Sequence, residues 1–158
     1  MKRILVAVDT TSSAPIVVRH AVELARSIGG KVRLFHSVQM PKQVPPPGVF
    51  VAPHALHVQD QIAGAEAALG SLSSSIPEEL RDGTFVDVGP TPERLCAAAQ
   101  SYDPDIVVIG AHEYGRVARA LGTTAARVVN RMDRPVLVVR PLPASHVVSP
   151  EPSHARAP

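Results

Sequence analysis

The segment from Gly110 to Thr124 carries residue types that could bind phosphate. Gly110 follows a short apolar run, and a glycine there would let the backbone approach a ligand closely. Gly122, Thr123 and Thr124 fit the start of a helix, where free backbone N–H groups and two hydroxyls would suit phosphate oxygens. The spacing matches neither a Walker loop nor the Gly-x-Gly-x-x-Gly fingerprint, so ordinary turn and cap roles remain an alternative.

Three further polar residues accompany the apolar runs. Asp9 follows the first run, where its carboxylate could bind a ligand or a metal, or could instead cap the next helix. Ser37 lies near the end of the second run. His112 comes shortly after Gly110 and could contact the same phosphates, and the alternative is an exposed loop histidine.

The remaining chemistry-bearing residues form weaker constellations. His54 and His57 could share a helical face and bind a metal with Asp60, although such pairs are usually just exposed. Cys96 lies in an alanine-rich segment and is expected to be a small buried side chain. The sequence has no Gly-x-Ser-x-Gly elbow, and no catalytic base or nucleophile stands out, so it favours a binding role over fast catalysis.

Alternating strand and helix patterns must position these residues. Because strands and helices alternate throughout, we expect a doubly wound α/β fold with a five-stranded, mostly parallel sheet and helices on both faces. In such sheets ligands bind beyond the carboxyl ends of the strands, at a topological switch point. The predicted strands are 2–9, 31–38, 84–88, 106–109 and 135–140, and the predicted helices are 15–28, about 55–74, 91 or 92 through 99, and one within 117–131.

Composition narrows the class of protein. The 158 residues are 45% hydrophobic, which suits one domain, predicted over 1–142, followed by a disordered tail over 143–158. The five prolines within 41–53 predict a stiff extended loop. No apolar run approaches the roughly 20 residues that span a bilayer, and a single cysteine excludes an internal disulfide framework, so we expect a cytoplasmic protein without membrane contact. The 16 basic and 14 acidic residues, with 3% aromatics, do not indicate nucleic-acid binding.

Several segments, taken in order, resemble the universal stress proteins of the UspA superfamily. The resemblance runs from residue 2 to about residue 140. The segments that carry it are Lys2-Arg3-Ile4-Leu5-Val6-Ala7-Val8-Asp9, Leu34-Phe35-His36-Ser37-Val38, Gly89-x-x-Pro92, Asp103-x-Asp105-Ile106-Val107-Val108-Ile109-Gly110, Gly122-Thr123 and Arg134-Pro135-Val136-Leu137-Val138-Val139-Arg140.

This resemblance implies a five-stranded parallel sheet of the adenine-nucleotide alpha-hydrolase type and a homodimer, often paired through the last strand, here Pro135–Arg140. A subset of the family binds ATP at the switch point. Carried over, Asp9 would face the ribose and a Mg²⁺ ion, and the backbone at Ser37 would meet the adenine. Gly110 and Gly122-Thr123-Thr124 would hold the phosphates, with His112 beside them.

The chain departs from the family's ATP-binding signature in one loop. That signature is a glycine, two residues, a second glycine, nine residues, and then a glycine with Ser or Thr. Here Glu113 stands at the second glycine, and only eight residues separate it from Gly122. A carboxylate there would repel the phosphates unless Mg²⁺ intervened, although Gly115 could replace the missing glycine, and Arg116 and Arg119 could neutralise charge.

Three functional hypotheses follow. The first is a universal stress protein that binds ATP as a dimeric regulator of the stress response. The second is a dimeric interaction scaffold that needs no nucleotide, because Glu113 closes the pocket. The third is a slow ATP hydrolase in which Asp9 and Mg²⁺ position the phosphates.

Overall fold

Strands and helices alternate along the chain of the computed structural model, which describes residues 1–39, 54–111 and 121–140. Side chains of 54–57 are outside this description. The elements, in chain order, are β1 (Lys2–Ala7), α1 (Ala14–Ile28), β2 (Gly30–Val38), α2 (His54–Ser74), a 3₁₀ turn (Glu78–Leu80), β3 (Arg81–Val88), α3 (Thr91–Tyr102), β4 (Ile106–Gly110), α4 (Thr123–Arg131) and β5 (Val136–Val139).

All five strands of the sheet are parallel, in the order β3-β2-β1-β4-β5. The chain therefore builds outward from β1 to β2 and β3, then crosses back to place β4 on the other side of β1. This reversal makes the switch point the crevice between β1 and β4, where Ala7 pairs with Ile109. The structure confirms the predicted doubly wound α/β fold.

Helices cover both faces of the sheet, and each face has its own hydrophobic core. On one face α1 and α2 pack their apolar side chains, such as Val17 and Leu69, against Val6 and Leu34. On the opposite face α3 and α4 pack on the side chains of the alternate strand residues. Leu5, Phe35, Leu95, Val107 and Val128 make that second core. Burying each such side chain stabilises the fold by roughly 1.5–3 kcal/mol.

Several predicted boundaries need correction. The third strand was predicted from Thr84 but begins at Arg81. It contains a register shift where Val32 pairs with Arg81 but Leu34 pairs with Thr84, and Gly83 there has a φ of +89°. Gly83 therefore accommodates a bulge inside the strand.

The first and last strands are shorter than predicted. β1 ends at Ala7 rather than Asp9, which places Asp9 beyond the carboxyl end of the sheet. β5 covers Val136–Val139, because Pro135 has no N–H to contribute and contacts β4 only through its carbonyl, which accepts a bond from Val107 N.

Two helix ends behave as the sequence predicts. Gly29 adopts a left-handed φ of +65° and closes α1. Within 117–131, α4 begins at Thr123 with Gly122 at its N-cap. None of the helices in the described residues is long and apolar enough to cross a membrane. The predicted loop at 41–53 and the predicted tail at 143–158 lie outside the described residues.

Candidate functional site

A cavity of about 450 Å³ lies at the carboxyl ends of β1, β2 and β4, on the face covered by α3 and α4. Its volume is within the range of small-molecule sites. The cavity brings together six of the seven predicted site residues, namely Asp9, Ser37, Gly110, Gly122, Thr123 and Thr124. The seventh, His112, lies outside the described residues, as do Glu113, Gly115, Arg116 and Arg119. That the six contact a nucleotide stays a prediction.

The inner part of the cavity is apolar. Phe35 and Ile109 come from the sheet, and Leu95 and Val128 come from α3 and α4. Phe35, Leu95 and Val128 are almost completely buried. Because these side chains are already closed off from water, they form the packed apolar base of the cavity. The apolar part thus suits a base better than it suits a phosphate.

Three helices begin at this cavity. Their first residues, Ala14 of α1, Thr91 of α3 and Thr123 of α4, all line it. The first turns of α1 and α3 each contain a proline, and α3 adds Glu93. A proline removes an N–H donor. A carboxylate in the first turn already interacts with the positive end of the helix dipole.

The start of α4 differs from those two. Its first turn contains neither a proline nor an acidic residue, and, as in α1 and α3, the N-cap residue makes no side-chain capping bond. The N–H groups of the first turn therefore keep their capacity to bind an anion. Of the described helix starts at this cavity, α4 is the one best suited to phosphate.

Asp9 is held by the loop between β1 and α1. Its Oδ1 accepts hydrogen bonds from Thr11 N over 3.1 Å and from Thr11 Oγ1 over 2.5 Å. Thr11 Oγ1 in turn lies 2.8 Å from Ser13 Oγ, and Ser13 also lines the cavity. The carboxylate therefore orders this loop at the cavity wall, beyond the end of β1.

Asp9 is also the one carboxylate among the described residues that line the cavity. The described part of the chain contains no cluster of three or more His, Cys, Asp or Glu residues that could hold a metal. Such a site does not build a protein cage for a cation. It fits Mg²⁺ that arrives on nucleotide phosphates and reaches the protein through a single carboxylate and water, as Mg²⁺ commonly does.

Ser37 is buried, and its hydroxyl donates a hydrogen bond to the carbonyl oxygen of Gly89 over 2.6 Å. The side chain is thereby committed to joining the ends of β2 and β3. A contact from Ser37 to a base would have to come from its backbone, which is what the family resemblance implied.

Four polar cavity residues were missed by sequence reasoning, namely Ser13, His36, Gln39 and Thr91. Gln39 Nε2 donates to Thr91 Oγ1 over 3.0 Å, and His36 Nδ1 lies 2.8 Å from Val8 O. Because a carbonyl oxygen only accepts, His36 Nδ1 carries the proton of this bond. Gln39 follows β2 directly, so the rule that ligands bind beyond strand ends could have pointed to it.

Among the weaker candidates, Cys96 is not one of the described residues that line this cavity. Side chains of His54 and His57 are outside the described residues. Cys96 in α3 is half-buried rather than buried as the sequence predicts, and burial raises the pKa of its thiol above the ordinary value.

A second cavity, of about 200 Å³, lies between α3 and the β2–β3 edge. Tyr102 borders it and donates its hydroxyl proton to Asp82, and the Arg33 guanidinium lies 4.1 Å from the ring centroid. Burial and the Asp82 carboxylate raise the pKa of Tyr102. These polar groups satisfy one another and present no unpaired partner for a ligand.

The fold and the cavity define a doubly wound α/β protein with a ligand-sized cavity at its topological switch point. The model of the universal stress protein family matches residues 1–140. The chain belongs to that family, as the resemblance predicted. No curated protein sequence matches the chain closely enough to count as a relative.

Solved structures share this fold at low sequence identity. Universal stress protein UspA from Lactobacillus plantarum has a TM-score of 0.72 and 19% identity, with 88% of this chain and 97% of that chain covered. A universal stress protein in complex with cAMP has a TM-score of 0.56 and 18% identity, with 88% and 96% covered. The Archaeoglobus fulgidus universal stress protein in complex with dAMP has a TM-score of 0.53 and 23% identity, with 87% and 97% covered.

Proposed function

We propose that this protein binds an adenine nucleotide in the cavity at the β1–β4 switch point and acts as an ATP-responsive regulator of the stress response in the cytoplasm. The observation that carries the proposal is the combination of residues that line one cavity. It combines an apolar interior with the start of α4, whose first turn has no proline, no acidic residue and no side-chain cap.

The orientation of the nucleotide follows from the positions of the apolar interior and of the start of α4. The phosphates lie at Gly122, Thr123 and Thr124, where N–H groups and hydroxyls meet their oxygens. The base lies toward the end of β2 and the start of α3, beside Phe35 and Leu95. Asp9 faces the ribose or a phosphate-bound Mg²⁺ between them.

Two relatives support an adenine nucleotide as the ligand, because one is in complex with cAMP and another with dAMP. Both ligands contain adenine and one phosphate. ATP with Mg²⁺ extends this proposal, since the cavity wall includes a carboxylate as well as the start of α4.

The experiment that tests the proposal is calorimetric titration with ATP, with and without Mg²⁺, after confirming that the purified protein carries no nucleotide. We expect saturable binding in the wild type. Gly122→Val should weaken binding of ATP at least tenfold, because a branched side chain at the N-cap blocks phosphate approach. Gly64→Ala, at an exposed position in α2, is the matched control.

Thermal unfolding of both variants separates a local effect from a folding defect. If Gly122→Val unfolds with the wild-type midpoint and yet binds ATP normally, the phosphates do not lie at α4. If the wild type gives no heat and no thermal shift at millimolar ATP, the nucleotide-independent scaffold replaces this proposal. Phosphate release during the titration would favour the slow hydrolase instead.

The assembly we propose is a homodimer that pairs through the segment Pro135–Arg140. Within the described residues, β5 is an edge strand that pairs with β4 alone. Leu137 on this strand and Val129 on the neighbouring helix are each 40% exposed. An edge strand with exposed apolar neighbours is commonly covered in the native assembly. The same surface would also serve the scaffold function.

A further inference from the structure

Three of the segments that carry the family resemblance meet at the amino end of the sheet, opposite the cavity. They are Lys2-Arg3 at the start of β1, Asp103-x-Asp105 before β4 and Arg134-Pro135 before β5. None of these described residues lines the cavity. Nucleotide binding therefore gives them no direct role, and their contacts with one another indicate what they do.

Arg134 lies at the centre of these contacts. Its side chain is 18% exposed, and its guanidinium donates hydrogen bonds to three partners. Nη1 donates to Asp103 Oδ1 over 3.0 Å and to the Pro104 carbonyl oxygen over 3.0 Å, and Nε donates to Asp133 Oδ1 over 2.9 Å. Because the guanidinium is a rigid fork, these bonds fix its orientation as well as the position of its charge. We call Arg134, Asp103 and the Pro104 carbonyl the β5 clasp.

The Asp103 carboxylate connects this clasp to the middle of the sheet. Asp103 ends α3 in the left-handed conformation, with a φ of +52°, and its N–H donates to Ala99 O over 2.9 Å. Its second oxygen, Oδ2, accepts a hydrogen bond from Arg3 Nη2 over 2.7 Å. Arg3 also donates its backbone N–H to Asp105 Oδ2 over 2.8 Å. The segment before β5 is therefore attached, through Asp103, to β1 at the centre of the sheet.

The ladder that joins β5 to β4 is short. β5 has four residues, and within the described residues it pairs with β4 alone. At one end of the ladder Val107 N donates to Pro135 O over 2.9 Å, and at the other Ala111 N donates to Val139 O over 2.8 Å. Pro135 has no N–H with which to return a bond. Edge strands with so few bonds open at a low free energy, so contacts outside the ladder help to keep β5 in place.

We propose that the β5 clasp is a positioning device that keeps β5 closed on the sheet, in the form that a second copy of the chain can pair with. Arg134 and Asp103 are its positioning residues. Leu137 lies within β5 and is 40% exposed, so closing the strand also fixes an apolar side chain that the second copy would cover. The dimer in this inference rests on the proposed function, whereas the effect of the clasp on β5 does not.

Amide hydrogen exchange of the full chain measures the opening of β5. The amides of Val107 and Ala111 are bonded to β5 carbonyls, so both should exchange when β5 opens. Val8 N donates to Phe35 O between β1 and β2 and reports opening elsewhere in the sheet. Arg134→Gln should accelerate exchange at Val107 and Ala111 by about threefold to tenfold, because it removes partly buried, charge-assisted bonds. The rate at Val8 should stay at the wild-type value.

Two further variants make the test specific to the clasp. Asp103→Asn removes the charge but suits the left-handed φ, and it should accelerate the same two amides. Combined with Arg134→Gln it should add little, because both changes break the same contact. Arg131→Gln is the matched control, since it breaks a 2.6 Å ion pair with Glu93 on α3 outside the clasp. It should leave both rates unchanged.

Protein concentration tests the connection with the dimer. If a second copy pairs with closed β5, exchange at Val107 and Ala111 should slow at least threefold between concentrations below and above the dissociation constant measured by sedimentation. Equal rates at the two concentrations would mean that the dimer does not use β5, and would overturn that part of the inference.

The remaining outcomes separate the clasp from the proposed dimer. Wild-type exchange at Val107 and Ala111 in Arg134→Gln, or an equal acceleration at Val8, would overturn the clasp whether or not the protein dimerises. A wild type that is monomeric at every concentration would remove the proposed dimer. The role of β5 for a second copy would then fail too, even if Arg134→Gln opens the strand.

Discussion

The hydroxyl of Ser37 and the carbonyl of Gly89 are joined by a hydrogen bond of 2.6 Å at the buried end of β2. Gly89 also donates its own N–H to Val38 O over 2.9 Å. These two bonds fix the turn that leads from β3 into α3, and so they fix where Thr91 and Leu95 meet the cavity. One wall of the candidate site depends on this pair of residues.

Ser37→Ala is expected to destabilise the fold by about 1–2 kcal/mol, because it leaves the Gly89 carbonyl without its partner in a buried place. ATP affinity should change less than threefold if the Ser37 contact to the base comes from the backbone. Urea unfolding and calorimetry measure the two effects. Ser101→Ala removes an exposed bond to Ala97 O within α3 and should cost less than about 0.5 kcal/mol. Equal losses in the two variants would contradict this account of Ser37.

Gly89→Ala is expected to destabilise the fold by roughly 1–3 kcal/mol. Gly89 has a φ of +135°, a conformation that L side chains rarely adopt, and an added Cβ would lie 3.3 Å from the Arg94 side chain. Gly64→Ala is the opposite case, since nothing lies within 4 Å of its added Cβ. It should stabilise α2 by about 0.5–1 kcal/mol. Urea midpoints that move in the same direction for both variants would refute this prediction.

Asp9→Asn should have opposite effects with and without Mg²⁺. Without the ion, loss of the carboxylate removes repulsion of the phosphates, and ATP should bind about threefold to tenfold more tightly. With the ion, ATP should bind about threefold to tenfold more weakly than it binds the wild type, because the carboxylate that would contact Mg²⁺ is lost. The asparagine retains an acceptor for Thr11 N, so the loop should keep its shape.

Thr11→Val provides the control for Asp9→Asn, because it removes the hydroxyl bonded to Asp9 and leaves the carboxylate in place. It should keep the wild-type response to Mg²⁺. If Asp9→Asn also keeps that response in calorimetry, Asp9 has no contact with the ion.

Leu137→Arg is expected to convert a dimer into a monomer, because a charge in the middle of β5 would be buried between two copies of the strand. Sedimentation velocity at tens of micromolar protein distinguishes the two species. Ile28→Arg, at the exposed end of α1, replaces a similarly exposed apolar residue and should leave the dimer intact. A wild type that sediments as a monomer would remove the β5 dimer from consideration.

The fold could be predicted from the sequence because its apolar patterns are strong and regular. The continuous run Ile4-Leu5-Val6 indicates a strand buried on both faces, and the structure places it at the centre of the sheet. The boundary errors have local causes. The third strand was predicted only from Thr84, and the pairing of β2 with β3 extends it to Arg81 across an irregularity that contains Gly83.

The site could be predicted where it depends on strand ends. Asp9, Gly110 and the Gly122 segment all follow from the rule that parallel strands present ligands at their carboxyl ends. Gln39 and Thr91 were missed because their contact joins residues far apart in sequence. Their proximity depends on the packing of α3 against β2, which no local pattern encodes.

The central claim is that one cavity holds the phosphates at α4 and the base at the β2–α3 end. Backbone amide chemical shifts, followed in parallel NMR titrations with adenosine and with ATP, test both placements at once. We predict that both ligands shift the amides of Ser37, Gln39 and Thr91, and that ATP alone also shifts those of Thr123, Thr124 and Ala125. Shifts clustered around Tyr102 and Phe85, or identical shifts at α4 for adenosine and ATP, would contradict the account.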